Sequence, residues 1–79
     1  MNLNKLRALL DDCCNDFSFV VDGKRSGIIP EVADYKRTYH VWYGSTVKDF
    51  YELQDVLSSP FFGGKSLSSI CEKLDFQIS

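Results

Sequence analysis

The chain has 79 residues, enough for a single domain (residues 1–79) with one small core. Its 44% hydrophobic and 14% aromatic residues exclude a disordered profile, because aromatic side chains bury a large apolar area even in a short chain. A formal net charge of −2 excludes a generally basic nucleic-acid binder and is too small for an acidic nucleic-acid mimic.

The first predicted element is a helix over residues 2–14, which Asn2 or Asn4 would cap. Four apolar residues recur there at spacings of three and four and so share one helical face: Leu3, Leu6, Leu10 and Cys13.

Alternation of apolar and other residues then predicts strands. Phe17, Phe19 and Val21 share one face of a strand over residues 16–22. Asp22-Gly23 predicts a turn, and the stretch 24–32 after it predicts only a short or edge strand because Pro30 has no backbone donor. Residues 31–36 are polar enough to form a loop.

Residues 37–43 predict the clearest strand, because they are dense in β-branched and aromatic residues. Alternation divides it into two faces, one with Tyr39, Val41 and Tyr43 and the other with Thr38, His40 and Trp42.

The second half of the chain predicts two helices. The first begins at Ser45 or Thr46, runs to about Leu57 with Val47 and Phe50 on its apolar stripe, and has a solvated acidic face of Asp49, Glu52 and Asp55. Residues 61–64 predict a loop. Residues 67–74 predict a short helix, after which residues 75–79 either add a strand or fray.

These elements predict an α+β fold in the order α-β-(β)-β-α-α(-β). The short connections between early strands favour a small antiparallel sheet, with the helices packed on one face. The predicted core is Leu6, Leu10, Phe17, Phe19, Val21, Val41, Phe50, Leu53, Leu57, Leu67 and Ile70.

The cysteines do not predict a disulfide framework or a metal site. Cys13, Cys14 and Cys71 are odd in number, and we interpret them as reduced thiols of a cytoplasmic protein. Together with His40 they offer too few ligands for zinc, so no metal or cofactor is predicted. No apolar stretch is long enough for a signal peptide or a membrane span.

No complete catalytic motif is present, and we predict that the chain is not an enzyme. His40 is the only histidine, and nothing in its spacing brings it to a cysteine nucleophile. Gly64-Lys65-Ser66 matches only the end of a phosphate-binding loop, because Ser59 stands where that loop has its earlier glycine.

The strongest interaction signal lies in residues 36–43, where cations are interleaved with aromatic residues, and in the Phe61-Phe62-Gly63-Gly64 loop. Residues 36–43 also fit a core strand with incidental charge, because tyrosine and tryptophan are favoured in cores as well as interfaces. Two adjacent phenylalanines in a glycine-rich loop cannot both easily point inward, so we predict a surface that binds an unidentified protein. Its candidate residues are Arg37, Tyr39, Trp42, Tyr43, Phe61 and Phe62.

The alternative prediction is single-stranded nucleic-acid binding. Cations contact phosphates, and exposed aromatic rings stack on bases. The candidate residues for this function are Lys24, Arg25, Lys36, Arg37, His40 and Trp42.

Three segments carry a resemblance: SGIIPE at 26–31, VWYG at 41–44 and FFGGKSL at 61–67. With them the chain resembles small uncharacterised proteins of Gram-positive bacteria and their phages or mobile elements. The resemblance implies a small accessory protein that binds a host or phage protein, and it brings no catalytic residues to transfer.

Overall fold

The computed structural model describes all residues, 1–79, as one five-stranded sheet with three short helices. The elements are α1 (Leu3–Asp11), β1 (Phe17–Val21), β2 (Lys24–Ala33), β3 (Lys36–Tyr43), β4 (Thr46–Phe50), α2 (Leu53–Ser58), α3 (Leu67–Ile70), a 3₁₀ turn (Cys71–Lys73) and β5 (Gln77–Ile78). Every strand pair is antiparallel, in the order β4-β3-β2-β1-β5. The predicted α+β class is confirmed, and the optional last strand is β5.

Helix α1 forms where the leucine spacing predicted it. The Asn2 side chain caps the helix by accepting the backbone N–H of Lys5 at 2.8 Å. Leu6 and Leu10 are fully buried. The helix ends at Asp11, before the end predicted for it, and Cys13 lies just beyond it in the left-handed region at φ 53°.

Two-residue turns set the register of the first four strands. Asp22 and Gly23 both have positive φ (49° and 79°), the conformation that matches the twist of a tight hairpin. Asp34 and Tyr35 repeat it between β2 and β3, at 51° and 62°. Because the turns are so short, the strands pair residue by residue directly from each turn.

Strand β4 replaces the first half of a predicted helix. Gly44 at φ 60° starts a third two-residue turn, which lays residues 46–50 antiparallel against β3. Only α2 remains helical, beginning at Leu53 after Glu52. The helix predicted from Ser45 or Thr46 is therefore wrong, and Val47, placed on its apolar stripe, is 68% exposed on the strand.

Strand β2 is longer and more central than Pro30 led us to predict. It runs through Pro30 to Ala33, so the loop predicted over residues 31–36 shrinks to a two-residue turn. The ladder with β1 ends at Phe17↔Ile28, two residues before Pro30. The missing N–H of Pro30 therefore breaks no bond to β1, and β2 is itself an edge at that point.

The core lies between the helices and one face of the sheet. Its buried apolar side chains are Leu6, Leu10, Phe17, Phe19, Val21, Ile28, Tyr39, Val41, Phe50, Val56, Leu57, Phe62, Leu67 and Cys71. Of the predicted core, only Leu53 and Ile70 are half-buried, because they stand at the ends of the short helices α2 and α3. The helices pack on one face, as predicted.

Candidate interaction face

The side of the sheet opposite the helices has no helix packed on it. Side chains on successive strand residues point to opposite faces, so the residues between the core positions point to this side. We call it the open face, which consists of Ser18, Val20, Arg25, Gly27, Ile29, Glu31, Lys36, Thr38, His40, Trp42, Val47 and Asp49. Val20 is 57% exposed and Ile29 40%, so apolar area on this face meets solvent.

Trp42 is half-buried at the centre of the open face because of a glycine beside it. Gly27 is its register partner on β2, and a side chain at position 27 would collide with the six-membered ring of Trp42. The missing Cβ therefore lets the indole lie against the backbone of the neighbouring strand. On the other side, Val47 is the partner of Trp42 on β4.

A groove of about 650 Å³ lies beside Trp42. Residues 73–77 form its far wall, because the ladder between β1 and β5 ends at Ser18↔Gln77 and the chain before Gln77 runs past β1 unpaired. The lining residues are Ser18, Phe19, Val20, Arg25, Ser26, Trp42, Lys73, Leu74, Asp75 and Gln77.

The groove contains two cations without a carboxylate partner. The four ion pairs of the chain use Arg37, His40 and Lys65 as their cations, and none of them uses Arg25 or Lys73. Both of these side chains are exposed. Asp75 is the only carboxylate that lines the groove.

Two carboxylates hold the single histidine on the open face. His40 Nε2 lies 2.7 Å from Glu31 Oε2, and His40 Nδ1 lies 2.8 Å from Asp49 Oδ1. The hydrogen bond to Glu31, followed by that to Asp49, raises the pKa of the His40 imidazole above its usual value. The arrangement thus favours the imidazolium, whose two N–H groups both donate. Asp49 stands on β4, whereas the sequence placed it on a solvated helix.

Among the predicted partner-binding residues, only Trp42 lies on the open face. Arg37, Tyr39 and Tyr43 follow the other parity of β3 and point to the helical side. The Arg37 guanidinium pairs with Asp11 at the end of α1, so it is not a neighbour of Trp42.

Tyr39 and Tyr43 belong to the core or its margin. Tyr39 is fully buried, with its hydroxyl 3.8 Å from Cys13 Sγ, and burial is the main cause that raises the pKa of this hydroxyl. Tyr43 is half-buried, with the Lys24 ammonium 5.1 Å from its ring centroid. The prediction that one surface gathers Arg37, Tyr39 and Tyr43 with Trp42 is therefore wrong.

The adjacent phenylalanines were expected to be exposed. This is wrong for Phe62, which is buried, whereas Phe61 keeps part of its side chain exposed. Phe62 is 1% exposed, and its ring centroid is 5.5 Å from that of Phe19. Phe61 is half-buried, 6.1 Å from the Phe50 ring. Gly63-Gly64, at φ 64° and 83°, reverses the chain tightly enough for both rings to turn towards the core.

The predicted nucleic-acid residues are divided between the two sides of the sheet. Lys24 and Arg37 lie on the helical side, over Tyr43 and beside Asp11 respectively. The other four, Arg25, Lys36, His40 and Trp42, share the open face, where His40 is already held by two carboxylates.

The remaining reactive side chains lie away from the open face. Cys13 is half-buried, Cys14 is exposed and Cys71 is buried, and all three are free thiols. No cluster of three or more His, Cys, Asp or Glu side chains has the geometry to hold a metal ion. Lys65, from the partial phosphate-loop motif, pairs with Asp22 at 3.0 Å.

Sequence reasoning missed Glu31, Asp49 and the wall formed by residues 73–77. A signal for Asp49 was present, since reading Gly44-Ser45 as a hairpin turn places it directly opposite His40. For the wall there was no local signal, because its contact with β1 joins distant parts of the chain.

Comparison of the chain with protein-family models, with curated proteins and with solved structures finds no match. No helix of the chain has both the length and the apolar character required to cross a bilayer.

Proposed function

We propose that the chain is a non-enzymatic protein-interaction module whose partner binds the open face. The observation that carries this proposal is a half-buried tryptophan on a sheet face without helices, which has exposed Val47 as its register partner and shares the face with exposed Val20 and Ile29. Contiguous exposed apolar area marks interaction surfaces, and tryptophan is among the residues that contribute most to binding energy.

The charged groups around this centre also support the proposal. Arg25, Lys36, Glu31 and Asp49 stand around the apolar residues on the same face. Protein interfaces have this arrangement, with an apolar centre that is desolvated on binding and a polar rim that stays wet.

A binding role without catalysis is supported by where the reactive groups lie. Both nitrogens of His40 face carboxylates on the open side, whereas Cys71 is buried in the core on the helical side. We extend the proposal to an accessory role in the cytoplasm with a host or phage protein as partner, in line with the three free thiols and the resemblance described above.

Photo-crosslinking from defined positions tests the proposal. A photoreactive phenylalanine analogue is placed at Val47 on the open face, at Lys5 on the outer side of α1, or at Tyr35 at a hairpin tip, and the chain is irradiated in cell lysate. All three positions are exposed, so none of the replacements disturbs the core. We expect a discrete protein adduct from position 47 and none from position 5.

The crosslinked protein is then purified and titrated against variants. Val47→Asp should weaken binding at least about tenfold, because a carboxylate is forced into an apolar contact, while Tyr35→Ala should leave affinity unchanged. The proposal is contradicted if position 5 gives the same adduct, or if Val47→Asp leaves the affinity for the partner unchanged.

Single-stranded nucleic-acid binding is the second candidate, favoured by Arg25 and Lys36 on the same face as Trp42. Trp42 is the only tryptophan, so its fluorescence reports directly on an oligothymidine added to the chain. Quenching that weakens steeply with added salt would favour this candidate, because phosphate contacts release counterions. A protein interface centred on Trp42 and Val47 should respond little to salt.

A further inference from the structure

We infer that the groove beside Trp42 receives an acidic side chain of the partner protein together with an apolar side chain next to it. This inference rests on the proposed function, because it names the chemistry that the open face selects in its partner. The groove lies at the end of the open face that carries Arg25, beside the wall formed by residues 73–77 and away from His40.

The charge of the groove favours an acidic ligand. Arg25 and Lys73 line the groove without a carboxylate partner, against the single carboxylate Asp75, so the groove is net cationic on a chain of net charge −2. Most other cations are engaged, since Arg37 and Lys65 are in ion pairs and others lie over aromatic rings. Charge complementarity therefore calls for an anionic group here.

Apolar surface inside the groove favours an apolar side chain beside the acidic one. Trp42 and Val20 line it from the sheet, and Leu74 lines it from the wall formed by residues 73–77. A ligand with only a carboxylate would leave the apolar surface of the groove exposed to water. An acidic residue beside a leucine, phenylalanine or similar residue would contact both the cations and the apolar side chains, while Ser18 and Gln77 offer hydrogen bonds to its backbone.

The carboxylates on and beside the open face favour a peptide over a polyanion. A nucleic-acid strand laid across the open face would bring successive phosphates near Asp75 at one end and near Glu31 and Asp49 beyond Trp42. Glu31 and Asp49 share one imidazolium, that of His40, so this group keeps a net negative charge and together with Asp75 repels a continuous chain of charge. A single carboxylate seated in the groove meets two cations and one carboxylate, Asp75, and stays away from Glu31 and Asp49, so a protein segment fits the charge pattern better.

A displayed library of random peptides of uniform length tests the inference. Peptides recovered on the immobilised chain are synthesised and titrated by Trp42 fluorescence, each beside an analogue in which glutamate or aspartate is replaced by its amide. We expect acidic residues adjacent to apolar ones to be enriched, and amide analogues to bind about tenfold more weakly, because a charge-assisted hydrogen bond is lost.

Variants of the chain locate the contact. Arg25→Gln and Lys73→Gln should each weaken peptide binding several-fold and the pair together by more than tenfold, whereas Lys5→Gln, on the outer side of α1 and away from the open face, should not. All three side chains are exposed, and equal unfolding midpoints will show that the variants fold alike.

Failure of this inference and failure of the proposed function give different results. Peptides that bind at Trp42 without acidic enrichment, or with no loss in Arg25→Gln, overturn the inference and leave the interaction module standing. The same holds if position 47 crosslinks a partner but the library yields no binder. Oligothymidine binding that depends on Arg25, with no peptide recovered, overturns both.

Discussion

The two faces of this sheet share one backbone and differ in almost everything else. Phe19 is 4% exposed and packs against Phe62, whereas Val20, the next residue, is 57% exposed on the open face. On β3, Val41 is in the core and Trp42 borders the groove. Adjacent residues on one strand thus have different roles. Stability should depend on the side chains that face the helices, and binding on those of the open face.

The largest effect is expected from Phe19→Ala compared with Val20→Ala. Truncating Phe19 should cost about 3–5 kcal/mol, because it leaves a cavity among buried rings, and in a domain this small that should abolish folding. Val20→Ala should change the free energy of unfolding by less than about 0.5 kcal/mol. Circular dichroism in buffer shows whether each variant folds, urea midpoints measure those that do, and similar losses in the two variants would contradict the division between the faces.

A smaller effect is expected from Gly27→Ala, which should change both the stability of the sheet and the position of Trp42 on the binding face. The new methyl group would collide with the Trp42 ring and with the carbonyl oxygen of Phe17, so we expect a loss of about 1–3 kcal/mol and a shift of Trp42 fluorescence as the ring is displaced. Ser18→Ala, its neighbour on the same face, is the control and should change neither. If Gly27→Ala leaves the emission unchanged, the indole does not rest on Gly27.

The smallest effect concerns His40, and its sign follows from its pKa. The pKa of His40 is raised in the folded chain, so its stabilising contribution is complete below about pH 6.5, the pKa in an unfolded chain, and is lost as the pH rises through the folded value. Because Glu31 and Asp49 are exposed, we expect less than about 1 kcal/mol.

NMR titration of the only histidine should give a pKa above 6.5, which Glu31→Gln and Asp49→Asn should each lower. The difference in unfolding midpoint between the native chain and His40→Gln should shrink from acid to alkaline pH. A titration midpoint at or below 6.5 would show that the carboxylates do not hold the imidazole.

Local patterns predicted the elements whose signals were unambiguous. The leucine spacing of α1 and the alternation of Phe17, Phe19 and Val21 each fit one period, and the structure follows both. Residues 45–57 fit two readings, because Gly-Ser-Thr suits a helix cap as well as a hairpin turn and Val47 and Phe50 fit a helical stripe. Residues 46–50 form a strand because they pair with β3, and this tertiary pairing cannot be read from the local sequence pattern.

The candidate site was only partly predictable for a related reason. Alternation separated Trp42 from Tyr39 correctly, but which of the two faces is covered depends on where the helices pack. Phe62 shows the same limit, since two glycines with positive φ turn it inward, where it fills space beside Phe19. The groove could not be predicted from local patterns, because Lys73 and Arg25 come to line one groove only through the chain's tertiary structure.

The addition of β5 at the edge of the sheet has a kinetic consequence. Asp16 and Ser79 exchange backbone hydrogen bonds of 3.0 Å in each direction, across nearly the whole sequence, whereas β1 to β4 are joined by local hairpins. Closing the longer loop costs more entropy, so β5 should dock last and detach first. Amide hydrogens of Gln77 to Ser79 should then exchange faster than those of β2 and β3. Since residues 73–77 wall the groove, each detachment also dismantles it, and a ligand seated there would slow that exchange.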